Sequence, residues 1–330
     1  MLISKPHYYD TFRCIASRCP DSCCKDWAVQ VDDASAAFYR SLPGALGDRL
    51  RQVLQDSEDG IVMTIENGRC PMWRDDGLCR IQAALGEDAL CQVCRDFPRL
   101  HHDYGDFVEL GLELSCPEAA RIIFSSPSLP PVLEEVPGGE EPEYDTAAMA
   151  CLKTSREYAL SLLQADLPVK HRLALLLLYG YHAQGELDGE EILPFDCAGA
   201  LDSARDFAKS GSIRHMADFF QTLEILTPEW SALLNHAGDA SPNPLCIPLA
   251  RYFIERYWLQ AVSDYDLACR VKFILIACLL VSSLPGEFIR YAQLFSKEIE
   301  NNLDNVEAIL DAAYSEAPFT DDKLLGLLLG

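Results

Sequence analysis

Residues 125–145 read Ser125-Ser-Pro127-Ser-Leu-Pro130-Pro131-Val-Leu-Glu-Glu-Val-Pro137-Gly138-Gly139-Glu-Glu-Pro142-Glu-Tyr-Asp145. Proline fixes φ and lacks an amide hydrogen, and six acidic residues keep the stretch in water, so it predicts an extended, solvated connector. It separates two compositions. Nine of the 14 cysteines lie within the first 116 residues, and the other five are scattered behind the connector. Thirteen basic and 20 acidic residues leave −7 before Ser125, against −17 from Ser125 onward. The expected organisation is a cysteine-rich domain over 1–125, a Pro/acid-rich linker over 126–145 and a helical domain over 146–330.

Periodicity differs on the two sides. Before the connector, Val108, Leu110, Leu112 and Leu114 alternate with Glu109, Gly111 and Glu113, as in a half-buried strand. Ser115-Cys116-Pro117-Glu118 then opens a helix through Phe124, with a serine three residues before a glutamate and a proline in the first turn. Ile61–Glu66 runs into Asn67-Gly68, a strong hairpin signal. Short helices are expected over Asp33–Ser41, Gly47–Gln55 and Cys79–Leu85. Behind the connector the pattern predicts helices near Thr146–Gln164, Val169–His182, Ala198–Lys209, Ile213–Leu226, Pro248–Val262, Asp266–Ser283 and Gly286–Asn302. The fold class is therefore mainly α, a small mixed α+β cysteine-rich metal-binding domain followed by an all-α helical domain.

The whole chain has 330 residues, 49% hydrophobic and 24% charged, a globular composition with a net charge of −24. That field repels a phosphate backbone and disfavours nucleic acid, while it accommodates a lysine-bearing partner. Lys5, His7, Asp10 and Arg13 interrupt any secretory apolar run near the start, so the expected location is cytoplasmic. Phe273–Val281 is far shorter than the roughly 20 residues a membrane span needs, and predicts a buried helix without membrane association.

In a reducing compartment, clustered thiols point to metal or redox chemistry before structural disulfides. The cluster here is Cys14-x4-Cys19-x3-Cys23-Cys24, then Cys70, Cys79, Cys91, Cys94 and Cys116. No paired C-x2-C motifs and no histidine at ligand spacing accompany it, so an all-thiolate site fits better than a zinc finger. Iron–sulfur and four-cysteine zinc centres both remain open. Arg13, Arg18, Lys25, Arg69, Arg80 and Arg95 each adjoin a cysteine, and positive charge favours thiolates. His101-His102 reads as a polar loop. Cys151, Cys197, Cys246, Cys269 and Cys278 fall in helical patterns and read as core fillers.

The segment Phe12-Arg-Cys14-Ile-Ala-Ser-Arg-Cys19-Pro-Asp-Ser-Cys23-Cys24-Lys-Asp-Trp27 resembles the start of the flagellin lysine-N-methylase family. Gly68-Arg-Cys70-Pro71, Gly77-Leu78-Cys79-Arg-Ile81-Gln82, Cys94-Arg-Asp-Phe-Pro98-Arg99 and Ser115-Cys116-Pro117-Glu118 are similar to that family's later blocks. The resemblance covers Phe12–Arg121 and thins to Leu249–Tyr257 beyond the connector. It implies a bacterial methyltransferase that modifies lysines of flagellin or another lysine-bearing protein, using S-adenosylmethionine and a cysteine-bound iron–sulfur cluster, 4Fe-4S, with zinc as the alternative. The implied metal ligands are Cys14, Cys19, Cys23, Cys24, Cys70, Cys79, Cys94 and Cys116, with Cys91 an addition.

The chain carries no G-x-G-x-x-G in a βαβ unit and no C-x3-C-x2-C spacing. The donor is therefore expected between the cysteine domain and the helices, an arginine on its carboxylate and Trp27, Trp73 or Tyr104 on its adenine. Competing readings are a non-catalytic zinc- or iron-binding interaction module, and a thiol redox sensor using Cys91 and Cys94.

Overall fold

A computed structural model describes residues 1–25, 29–57 and 60–330. It is mainly α with a small mixed α+β region. Strand β1 (Leu2–Lys5) opens the chain, and β2 (Val29–Gln30) follows the first four cysteines. Helix α1 (Asp33–Ser41) matches its expected span because the Asp32 carboxylate caps it, accepting from the Ser35 amide at 2.9 Å. Helix α2 (Gly44–Val53) stops short of the expected Gln55, since Leu54–Ser57 becomes strand β3 and pairs antiparallel with β4 (Gly60–Met63). The three strands form a small sheet in the order β2-β4-β3. Asn67 and Gly68, at φ 53° and 72°, do form a tight turn. Only Glu66 and Arg69 pair across it, because Pro71 cannot extend the ladder.

Short helices α3 (Arg80–Leu85) and α4 (Gln92–Asp96) follow. Cys79 and Cys91 stand at their N-caps. The other oxygen of Asp32 accepts from the Gln92 amide at 2.9 Å, so one carboxylate ties α1 to α4. Bonds from the Gln92 and Ser35 amides hold the Asp32 carboxyl down to about 2. Asp32→Ala is expected to cost about 1 kcal/mol at neutral pH, as lost N-caps do. A depressed carboxyl contributes fully above its unfolded value, and the contribution fades as pH falls from about 4 to about 2. Urea midpoints of the two proteins should therefore differ at pH 7 and converge in acid.

Strands β5 (Arg99–Asp103) and β6 (Phe107–Leu112) are antiparallel neighbours, and β6 runs parallel to β1. His101 and His102 sit opposite Leu110 and Glu109 in β5, so the expected polar loop is a strand. Helix α5 (Pro117–Ser125) starts where the sequence placed it. The connector contributes a fourth strand, β7 (Val132–Glu135), antiparallel to β1 with all four residues exposed. Its prolines confine pairing to one edge, giving the order β5-β6-β1-β7.

The remainder is helical: α6 (Thr146–Leu162), α7 (Val169–Leu187), α8 (Cys197–Phe207), α9 (Ile213–Phe220), α10 (Pro228–Asn235) and α11 (Cys246–Tyr257). Then come α12 (Leu267–Ser283), α13 (Phe288–Phe295), α14 (Leu303–Ser315) and α15 (Asp321–Leu329). From Phe273 to Val281 helix α12 is apolar on every side, and all of the helix except Ser282 is buried, as a central helix must be; its two cations, Arg270 and Lys272, pair with Asp264 and Asp321. Among the described residues no helix is long and apolar enough to cross a membrane. The expected Gly286–Asn302 helix breaks instead into α13 and a π-helical turn, Ser296–Glu300.

Two cores result. The large one joins the helices to Phe12, the four-stranded sheet and α5 with Cys116. A small one, around Val29, Tyr39, Leu50, Met63 and Met72, holds Cys70 and Cys91 and has Cys24 and Cys79 against it. Cys246, Cys269 and Cys278 are buried as expected, whereas Cys151 and Cys197 pack half-exposed at the edge of the large core.

Candidate thiol-lined site

A cavity of about 310 Å³ opens between the cysteine-bearing loops and the helical body. Its wall contains Cys14, Cys19, Cys23, Cys24, Cys79, Cys94 and Cys116. Seven of the eight cysteines implied by the sequence resemblance thus face one space, brought there from positions up to a hundred residues apart. Cys70 does not line it; its thiol lies in the small core, 3.4 Å from Met63 Sδ. No histidine lines the cavity. All fourteen cysteines are free thiols.

The local chain explains the convergence. Between Cys14 and Cys19 the chain turns through a short 3₁₀ segment, Ala16–Arg18, capped by the Cys19 amide, and both thiols line the cavity. Cys116 sits at the N-cap of α5, whose first turn is fixed by Pro117. Cys79 and Cys94 come from the short helices of the small core.

The helical body grips this loop system through α13 and the π-helical turn. Gln293 Nε2 donates to the Ser115 carbonyl at 2.6 Å, next to Cys116, and to Asp21 Oδ2 at 3.4 Å. Lys297 Nζ lies 3.3 Å from the same Asp21 carboxylate, which Lys25 also pairs at 2.7 Å. Asp21 stands between Cys19 and Cys23, so a single acidic side chain ties the thiol loop to the helices. Burial raises the Asp21 carboxyl, but the Lys25 bond and the Lys297 charge outweigh it and hold the carboxyl below its usual value. Asn301 and Leu226 complete the wall from the helical side.

The thiols are electrostatically uneven. Burial pushes Cys116 up to about 11 and Cys70 up to about 12, and raises Cys19 and Cys79 in the same direction. Cys23 donates to Cys24, which brings the Cys24 thiol down to about 7 and sends Cys23 well up. Cys94 does the same for Cys91, which also stands at about 7. The charges they feel fall into two neighbourhoods: Cys116 senses Cys19 and Cys14, whereas Cys70 senses Cys24, Cys79 and Cys91.

Arg13, Arg95, Arg99 and Lys297 line the cavity, so positive charge faces the thiols. Only Arg13 and Arg95 of these were flagged by adjacency to a cysteine. Lys25 is taken by Asp21, and Arg69 stacks 4.0 Å above Trp73. The composition of the wall fits an all-thiolate centre, because metal binding would deprotonate thiols that cationic neighbours then compensate. Among the described residues no three His, Cys, Asp or Glu side chains meet closely enough to hold an ion.

The expected aromatic platforms are elsewhere. Tyr104 stacks on Phe107 at 4.7 Å in the large core, Trp73 is outside the cavity wall, and Trp27 lies outside the described residues. Among the described residues the aromatics in the wall are Phe12 and Phe97, with the Arg99 guanidinium 5.4 Å from the Phe12 ring. A groove adjoins the cavity and shares Phe97, Arg99 and Asn301 with it. Asp32, Asp33, Asp96 and Glu113 line that groove.

No family model and no solved structure matches the chain. Curated proteins do. The flagellar biosynthetic protein FliU of Salmonella muenchen is 33% identical over 138 residues, which cover 38% of this chain and 78% of that protein. Lysine-N-methylases of Salmonella typhimurium and Salmonella choleraesuis are each 31% identical over 138 residues. The match spans 33% of the length of either methylase. With an N-terminal cysteine pattern of this kind and a relative covered over most of its length, the chain belongs to the flagellin lysine-N-methylase family.

Proposed function

We propose that this protein is a protein-lysine N-methyltransferase that acts on flagellin or a similar surface-lysine protein, with S-adenosylmethionine as donor and a cysteine-bound iron–sulfur cluster. The observation that carries this reading is the convergence of seven cysteines on one cavity beside cationic groups, in a chain similar to lysine-N-methylases. Cys14, Cys19, Cys23 and Cys116 would hold the cluster. When bound, the cluster supplies a redox-active and Lewis-acidic centre.

The chain's own groups divide the remaining work. The cavity volume suits a small-molecule site, at the lower end of the roughly 300–1,000 Å³ usual for such sites. Arg13 and Arg95 offer cations for a carboxylate, and Phe12 and Phe97 offer apolar surface. The adjoining acidic groove favours approach of a cationic side chain. A lysine amine must lose its proton before it can accept a methyl group. Glu113 lines the groove, and burial raises its carboxyl, with Arg256 and the Ser115 hydroxyl pulling the other way. A carboxylate raised toward neutrality suits proton acceptance. Glu113→Gln is expected to lower turnover by roughly 100-fold, the scale of a lost general base, with the visible spectrum unchanged. Equal loss of spectrum and turnover would assign Glu113 to the fold instead.

The deciding experiment is anaerobic purification, metal analysis and incubation with donor and flagellin, read by mass spectrometry. A brown protein that adds single methyl masses to lysine supports the reading. A fully cluster-loaded protein that transfers nothing overturns it, and a colourless protein with stoichiometric zinc and no donor binding favours an interaction module.

A further inference from the structure

The cations around the cavity are almost all of one kind. Among the described residues, three of the four in its wall are arginines, Arg13, Arg95 and Arg99, and Arg99 also lines the adjoining groove. Among the same residues no lysine lines that groove. The sequence repeats this choice on a larger scale. Between Lys25 and Lys153 it has nine arginines and no lysine, although the chain has eight lysines in all. Charge alone does not require such a bias, since either side chain places a positive charge beside thiols.

The two cations differ in whether they can accept a methyl group. A guanidinium stays protonated and delocalised in a protein, whereas a lysine ammonium that gives up its proton exposes a nitrogen lone pair. In methyl transfer that lone pair forms the N–C bond as the C–S bond of the sulfonium donor breaks. The bonding pair stays on sulfur, leaving a neutral thioether, and the ammonium proton has passed beforehand to a carboxylate or water. A lysine of the enzyme's own beside the donor would compete with the substrate at the effective concentration of a tethered group.

Two lysines do come near, and one carboxylate holds both. Lys297 Nζ lies 3.3 Å from Asp21 Oδ2 and 3.4 Å from Oδ1, and Lys25 Nζ lies 2.7 Å from Oδ1. The Asp21 and Lys297 side chains are 9% and 10% exposed, so little water competes for the pair. An ammonium seated on this carboxylate directs its N–H bonds at Asp21 and offers no lone pair to the cavity.

We infer that the chain is built against methylating itself: arginine stands in place of lysine around the cavity and groove, and Asp21 ties up the two lysine amines beside them. The inference rests on the methylase reading and adds to it a reason for which cation occupies each position. It assigns Arg99 a part in selecting the acceptor, since that residue stands where cavity and groove meet.

The test places an amine at that junction. Arg99→Lys does so from β5, and Asn301→Lys does so from the helical side; both positions are exposed and both line the cavity and the groove. Arg205→Lys makes the same exchange on α8, outside either wall. Each full-length, anaerobically loaded protein is incubated with S-adenosylmethionine, with and without flagellin, and mapped by peptide mass spectrometry. The new lysine at 99 or 301 is expected to gain methyl groups in the absence of flagellin, at a level roughly 100-fold above the new lysine at 205, as for a group held beside its reagent. Lys25 and Lys297 of the unsubstituted protein should stay unmodified. Flagellin methylated by the unsubstituted protein with no methyl at 99 or 301 in the variants overturns the inference and leaves the methylase reading standing. So does methylation of Lys25 or Lys297, or equal methylation at 99, 301 and 205. Loss of flagellin methylation in both variants without a methyl at either new lysine also overturns it, because those side chains are then needed for transfer and not for shielding. No methylation of flagellin by the unsubstituted protein removes the reading and the inference together.

Discussion

Serine in place of Cys116 is expected to leave a folded chain that, on the proposed function, holds no visible chromophore and transfers no methyl group. The residue sits at the N-cap of α5, where its own side chain makes no capping bond. Serine is among the preferred N-cap residues, so Cys116→Ser should not weaken the helix and reads as a ligand change alone. Removing a partner in the outer shell of a metal site commonly costs 10–100-fold, and loss of a direct thiolate should exceed roughly 100-fold. The measurement pairs lysine methylation by mass spectrometry with the absorbance spectrum and the thermal midpoint. Unchanged methylation with an unchanged spectrum would remove Cys116 from the ligand set. A large fall in the midpoint would mean that the thiol's packing, 8% exposed in the large core, is what matters.

The second large effect is one of stability. Glu300, at the end of the π-helical turn, has a fully buried side chain and pairs with Arg256 at 2.9 Å. It also accepts from the Tyr257 hydroxyl at 2.9 Å and from the Tyr252 hydroxyl at 3.1 Å. Tyr252 in turn accepts from the Leu114 amide at 3.3 Å, two residues before Cys116. Glu300→Ala leaves the Arg256 charge and two hydroxyls buried without their acceptor. Loss of one partner of a buried ion pair typically costs about 3–5 kcal/mol. Urea unfolding should show that fall, and Glu300→Leu combined with Arg256→Met should recover much of it, because no lone charge then remains. A Glu300→Ala protein with an unchanged midpoint would show that the cluster contributes nothing net. Because the same cluster abuts the end of β6, the single variant is also expected to lower metal occupancy.

Local rules reached far in this chain. Asp32 and the helical period set α1, Ser115 to Glu118 set the start of α5, and the all-apolar Phe273–Val281 set a buried helix, since each depends on neighbours within one or two turns. Failures came where distant segments compete. Leu54–Ser57 would extend α2, but β4 offers a strand partner and takes it. The connector reads as free chain because its strand partner, β1, lies more than a hundred residues away. Helices α10, α14 and α15 were not anticipated; their apolar faces are set by the helices they meet.

For the site, the sequence by itself showed a cluster of nine thiols in its first 116 residues, and the family resemblance named the seven of them that share a cavity. A cluster of thiols is legible because cysteine is a rare residue type and its position along the chain needs no knowledge of the fold. Tertiary structure alone decided that Cys70 turns away, that Cys91 joins it in a second core, and that Lys297, Gln293 and Asn301 reach the thiol loop. Lys297 lies in a run of charges, Ser296-Lys-Glu-Ile-Glu300, that a helical wheel would place in solvent. The π-helical turn buries them instead: Lys297 pairs with Asp21 and Glu300 with Arg256, while Glu298 accepts from the Leu226 amide and the Thr227 hydroxyl. Buried charge pairs of that kind require both partners to be placed before either is stable, and that placement is a property of the fold.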